Sequence, residues 1–167
     1  GATPSQIVVV ELEDKGLLTN SPVGHVVEIL GTIDEPGMET EIAVRKFDLP
    51  YKFSEETKKE IKRFSDSVTK SDLRDRVDLR DIPFVTIDGA DAKDFDDAVY
   101  CLPLEDGKFR LLVAIADVSH YVKPGCSIDK DAQLRTTSVY FPRRVIPMLP
   151  EELSNGLCSL NPQVDRC

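Results

Sequence analysis

Residues 88 to 97 read DGADAKDFDD: five aspartates in ten positions, with Lys93 the one cation among them. The apolar Ala98, Val99 and Tyr100 follow at once. Carboxylates converging beside residues that seek burial cannot all stay ionised without a counter-charge, and one lysine is too little. A divalent cation is the economical solution. Hard oxygen donors, with no histidine or cysteine inside the segment, suit Mg²⁺, with Mn²⁺ able to substitute, better than zinc. Magnesium held by a few aspartates keeps waters and shares its coordination with substrate phosphates, so phosphoryl transfer is the natural chemistry. Two ions roughly 4 Å apart would clamp the attacking water and the leaving oxygen of an in-line displacement.

In an extended backbone Asp94 and Asp96 share a face while Phe95 and Asp97 point the other way, so convergence requires a bend or bulge. Gly89 permits a sharp turn that brings Asp88 back toward them. The plainer reading is an acidic solvent loop. The flanking apolar runs and Phe95 in the middle argue against it. A calcium loop of the EF-hand kind needs glycine at position 6 and an acid at position 12. Counted from Asp88 these are Lys93 and Val99, and from Asp91 they are Asp96 and Leu102, so that option fails.

Elements must position these groups. Residues 7–13 (IVVVELE), 23–31 (VGHVVEILG) and 39–49 (ETEIAVRKFDL) read as three strands of a small antiparallel piece, separated by Gly, Pro, Asn and Asp signals. Residues 54–66 carry a helix signature, with Ser54 as cap, Glu55 and Glu56 in the first turn and cations later. Only Ile61 and Phe64 are apolar there, which makes the helix and the charged stretch behind it a connector. FVTID and AVYCLPL read as strands, and FRLLVAIADVSHYV as a longer apolar run reached through an Asp-Gly hairpin. Residues 127–138 form a short helix candidate capped by Ser127. Prolines at 142, 147 and 150 make VYFPRRVIPMLP an ordered loop or edge. After Pro150, Leu149, Leu153, Leu157 and Leu160 fall on one helical face. The expected class is α+β: a small antiparallel β segment, a helical connector, then a mixed sheet with short helices.

The chain has 167 residues, 41% of them hydrophobic, so it can bury a core. No apolar stretch reaches membrane-span length and the start lacks a signal-peptide pattern, so no membrane partner and a cytoplasmic location are expected. Four cysteines without a CxxC pair are expected to be reduced thiols. The net charge of −9 argues superficially against nucleic acid. The acidity is local, however: residues 81–97 hold six acids against Lys93, whereas residues 98–167 hold eight acids and eight bases.

The stretches VDLRDIPFVTIDGADAKDFDDAVYC, VAIADVSHYVKPG and TSVYFPRRVIPMLPEELSNGLCSLNPQVDR resemble the catalytic RNB domain of the ribonuclease II superfamily. More loosely, residues 7–50 resemble the last strands of a cold-shock (OB-type) domain. The resemblance implies three regions: residues 1–52 as the end of a cold-shock domain, 53–78 as connector and 79–167 as the first part of RNB. It further implies a Mg²⁺-dependent exoribonuclease that degrades single-stranded RNA processively from its 3′ end to nucleoside 5′-monophosphates. The family's aspartate quartet falls on Asp88, Asp94, Asp96 and Asp97 as the metal-binding set, with Asp96 and Asp97 as catalytic carboxylates and Asp96 the more critical. Asp91 lies outside the pattern. Tyr140 matches a tyrosine that stacks on the 3′-terminal base, a contact that tolerates any sequence; the alternative is a core tyrosine beside Phe141. Arg143 is a candidate for phosphate contact, whereas Asp117 and His120 are expected to hydrogen-bond within the fold. Because the chain stops at Cys167, the rest of RNB with its catalytic arginine, and a C-terminal RNA-binding domain, are expected elsewhere in a parent protein, and this chain alone is expected to be inactive. Two other readings remain: a β-rich RNA-binding or assembly module with a solvated aspartate loop, and another magnesium phosphohydrolase.

Overall fold

A computed structural model describes residues 1–13 and 23–167, which fall into two compact units: residues 1–51 with 140–145, and residues 52–139 with 146–167. In the first unit, strands β1 (Gln6–Leu12) and β2 (Gly24–Thr32) pair antiparallel, from Gln6 opposite Thr32 to Leu12 opposite Gly24, with register shifts at Ile7/Val8 and Val9/Val10. The turn signals expected between them at Asp14, Gly16, Asn20 and Pro22 lie outside the described residues.

The third expected strand does not form. Residues Met38–Lys46 are helix α1, entered through Gly37 in the left-handed region (φ 89°). The alternation of Ile42 and Val44 with polar neighbours suggested a strand, yet Glu39 and Glu41 sit at the helix N-terminus and Arg45 and Lys46 at its C-terminus, where each complements the helix dipole. Arg45 also bonds Glu41 one turn back and grips Glu28 on β2 with two bonds, at 2.7 and 3.2 Å. Its guanidinium lies 4.3 Å from the centre of the Tyr51 ring. Helix formation thus buries Met38 and Val44 and satisfies the cation at once.

In the second unit, helix α2 (Glu55–Ile61) is capped by Ser54, whose Oγ accepts the Thr57 N–H at 3.2 Å. It is shorter than the expected 54–66, and its sparse apolar residues reach the core: Ile61 is buried and Phe64 packs edge-on against Tyr121. Helices α2 and α4 (Ser127–Arg135) cap one another. Asp131 accepts the Ser54 N–H at 2.8 Å, and Glu60 accepts the N–H groups of Ser127 and Ile128 at 2.9 and 3.3 Å. The cap residue of α4 is Cys126, its Sγ accepting the Asp129 N–H at 3.3 Å, and not Ser127, which is already helical.

Strands β3 (Asp97–Pro103) and β4 (Phe109–Ile115) form the expected hairpin, with Asp106 and Gly107 both at positive φ (64° and 70°) in its loop. FVTID contributes a single bridge, Val85 to Val99, because the chain leaves the sheet immediately afterwards and exposes Ile87. The apolar run of β4 ends at Ile115, where Asp117 caps the four-residue helix α3 (Val118–Tyr121). Strands β5 (Val139–Phe141) and β6 (Arg144–Ile146), of which residues 140–145 group with the first unit, form a separate two-stranded sheet, so the expected mixed sheet is replaced by small two-stranded ones. A π-helix over Glu152–Leu157 then buries Leu149, Leu153 and Leu157 against Ile61, Ala116, Tyr121 and Ile128. The α+β class with short helices holds throughout. Among the described residues no helix is long and apolar enough to cross a membrane, and all four cysteines are free.

Candidate active site

The aspartate segment occupies the chain between the Val85 bridge and β3, and residues 92–96 have no regular secondary structure. Its polar backbone is satisfied one group at a time. The Gly89 carbonyl accepts the Ala92 N–H at 3.0 Å, closing the turn between Asp88 and the later aspartates. Ser159 Oγ donates to the Lys93 carbonyl at 2.8 Å and accepts the Phe95 N–H at 3.0 Å. The Leu160 N–H reaches the Phe95 carbonyl at 2.8 Å, and the Ala116 N–H reaches that of Asp96 at 2.9 Å. Asp97 then enters the β3 ladder opposite Ile115. The segment is therefore held from two sides, by Ser159 and Leu160 and by Ala116.

The carboxylates are close enough to act on one another. Loss of hydration, and then the like charges of Asp94, Asp97 and Asp88, hold the Asp96 carboxyl above the usual aspartate range. Asp91, exposed on the turn, is not among the groups that act on it. Asp94 is half-buried while Asp88, Asp96 and Asp97 keep solvent access, so the cluster is an open surface site. Among the described residues, no three His, Cys, Asp or Glu side chains stand together as a ready-made metal cage.

Tyr140 and Arg143 belong to the other unit. Tyr140 on β5 is 66% exposed, outside the core of the described residues. Arg143 is exposed at the turn after β5, while its neighbour Arg144 is tied to Glu41. Asp117 and His120 do bond within the fold. Asp117 pairs with Arg76 at 2.7 Å and accepts from Ser119 at 2.8 Å, and His120 Nε2 meets Asp72 at 2.9 Å.

An RNB domain matches residues 76–167, and a cold shock domain matches residues 1–54. The chain belongs to the RNB family. Among curated RNB relatives, ribonuclease R of Acidithiobacillus ferrooxidans is 60% identical over 168 residues, covering 99% of this chain and 38% of the relative. Mycoplasma genitalium RNase R bound to double-stranded RNA superposes with a TM-score of 0.86 at 34% identity, over 95% of this chain and 28% of that one. The same protein bound to ribose-methylated single-stranded RNA gives 0.78 at 38% identity, over 86% and 22%. This chain thus spans well under half the length of the RNB relatives it matches.

One residue of the site was not foreseen. Ser159 is a fully buried polar side chain inside the apolar run from Leu157 to Leu160. That mismatch of type and surroundings was the available signal.

Proposed function

We propose that this chain carries the aspartate portion of the active site of a Mg²⁺-dependent exoribonuclease that hydrolyses single-stranded RNA processively from its 3′ end. The observation that carries the reading is the crowding of Asp88, Asp94 and Asp97 around Asp96, within a family whose relatives include ribonuclease R. In the reaction, water adds to the phosphorus of the last phosphodiester, the bond from phosphorus to the penultimate O3′ breaks, and a nucleoside 5′-monophosphate leaves. Within the aspartate set Asp88, Asp94, Asp96 and Asp97, Asp88 and Asp97 would ligate the metal and Asp94 would support the site, and the metal would supply neutralisation of the phosphate charge. Asp96 would be the most catalysis-critical of these carboxylates. The exposed ring of Tyr140 offers a face for the terminal base and Arg143 a cation for phosphate. Residues 1–52 are assigned to a cold-shock-type unit and 79–167 to the RNB part. The 167 residues span only part of the length of their RNB relatives, so little hydrolysis is expected from them outside the intact protein.

The test follows 5′-labelled single-stranded RNA in the intact protein with Mg²⁺, with chelator, and with Asp88→Asn and Asp97→Asn. The expected result is stepwise shortening that requires Mg²⁺, release of 5′-monophosphates, and a rise in melting temperature on adding Mg²⁺ that both variants lose. Unimpaired degradation in chelator, or an Mg²⁺-induced rise retained in both variants, would overturn the reading. A preference for mononucleotide esters over RNA would favour a different phosphohydrolase.

A further inference from the structure

We propose that Ser159 is the positioning residue of the aspartate cluster, setting the backbone on both sides of Asp94 and thereby the approach of Asp94 and Asp96. This rests on the reading of the aspartates given above. The segment it holds has no ladder or helix to support it, and it carries carboxylates that repel each other. Left to electrostatics, such a loop would open. Ser159 opposes this with one hydroxyl used twice: Oγ donates to the Lys93 carbonyl at 2.8 Å and accepts the Phe95 N–H at 3.0 Å. Both partners flank Asp94, so the two bonds fix the direction in which its side chain leaves the backbone. The next residue adds a third tie, Leu160 N–H to the Phe95 carbonyl, at 2.8 Å.

Ser159 is itself immobilised. Its side chain has no solvent exposure, its N–H bonds the Gly156 carbonyl at 3.0 Å, and its carbonyl accepts from Arg166 Nε at 2.8 Å. A buried group that must donate and accept at once calls for a hydroxyl. Alanine leaves the Phe95 N–H and the Lys93 carbonyl without partners, and cysteine fills the space with a weak donor and a weak acceptor. Threonine keeps the hydroxyl. A displacement of about 1 Å in groups aligned for reaction costs on the order of a hundredfold in rate, so the effect of losing these bonds should appear in turnover rather than in RNA capture.

The experiment compares Ser159→Cys, Ser159→Ala and Ser159→Thr with Asp96→Asn in the intact protein, reading kcat and KM for single-stranded RNA, the Mg²⁺ concentration for half-maximal rate, and melting temperature. Ser159→Cys is expected to fold and lose at least about tenfold in kcat with KM within about twofold, and to need more Mg²⁺. Ser159→Thr is expected to recover most of the rate. Ser159→Cys with parental kcat and Mg²⁺ requirement, beside an inactive Asp96→Asn, overturns the positioning role alone. A fully active Asp96→Asn overturns the reading of the aspartates and this proposal with it. If Ser159→Ala fails to fold, Ser159→Cys and Ser159→Thr decide the matter.

Discussion

Asp72 shows how a carboxylate is used when the purpose is to hold the chain together. It accepts from the Thr69 N–H and hydroxyl, both at 2.7 Å, and faces His120 at 2.9 Å. The Thr69 hydroxyl, then His120, then the Thr69 N–H hold its carboxyl down at about 2. A lowered carboxylate stabilises the fold above the unfolded value of about 4 and loses that contribution as pH falls through the folded value. Asp72→Ala should therefore cost about 1–2 kcal/mol near neutral pH, with the difference shrinking between about pH 4 and pH 2, as read by urea unfolding. An equal penalty at both ends of that window would contradict the assignment. Asp96 is the opposite case, held above its ordinary range by loss of hydration and then by the like charges around it. The aspartates were legible because residue type and spacing alone force the question of a counter-charge. Ser159 was not, because its partner Phe95 lies 64 residues away, and a serine inside an apolar run signals burial without naming the partner.

At the level of elements, most of what positions the site could be read from local chemistry: the Asp-Gly hairpin, the Ser54 cap and the leucine face after Pro150. Two things could not. Residues 39–49 alternate like a strand, and the acids at the start, the cations at the end and the fit of Arg45 to Glu28 and Glu41 tip them to helix. The connector carried too little apolar content to suggest packing, yet α2 is held against α4 by crossed caps that join residues far apart in sequence. Glu60 illustrates the consequence. Its carboxylate serves two N–H groups at the start of a different helix, so Glu60→Ala should destabilise the protein by about 1 kcal/mol. The exposed neighbour Lys59→Ala should stay within about 0.5 kcal/mol. Equal effects of the two in chemical denaturation would show that the cap contributes nothing.

For the whole molecule the distribution of charge matters more than its sum. The acidic surplus of residues 81–97 is gathered at the proposed metal site, and the rest of the RNB segment is balanced, so net charge is a poor guide to an RNA-degrading role. The two units contribute different chemistry, carboxylates in one and the exposed Tyr140 ring in the other. The sequence placed Tyr140 and the aspartates together in residues 79–167, so the grouping of residues 140–145 with the first unit, like the second unit's recruitment of the connector into its core, emerged only from packing. The most direct measurement is single-turnover hydrolysis of labelled single-stranded RNA by the intact protein with saturating Mg²⁺, comparing the parent with Asp96→Asn. The expected result is a fall in rate of at least about a hundredfold with RNA affinity within about threefold. Hydrolysis at the parental rate in Asp96→Asn would contradict the central claim that these aspartates do the chemistry.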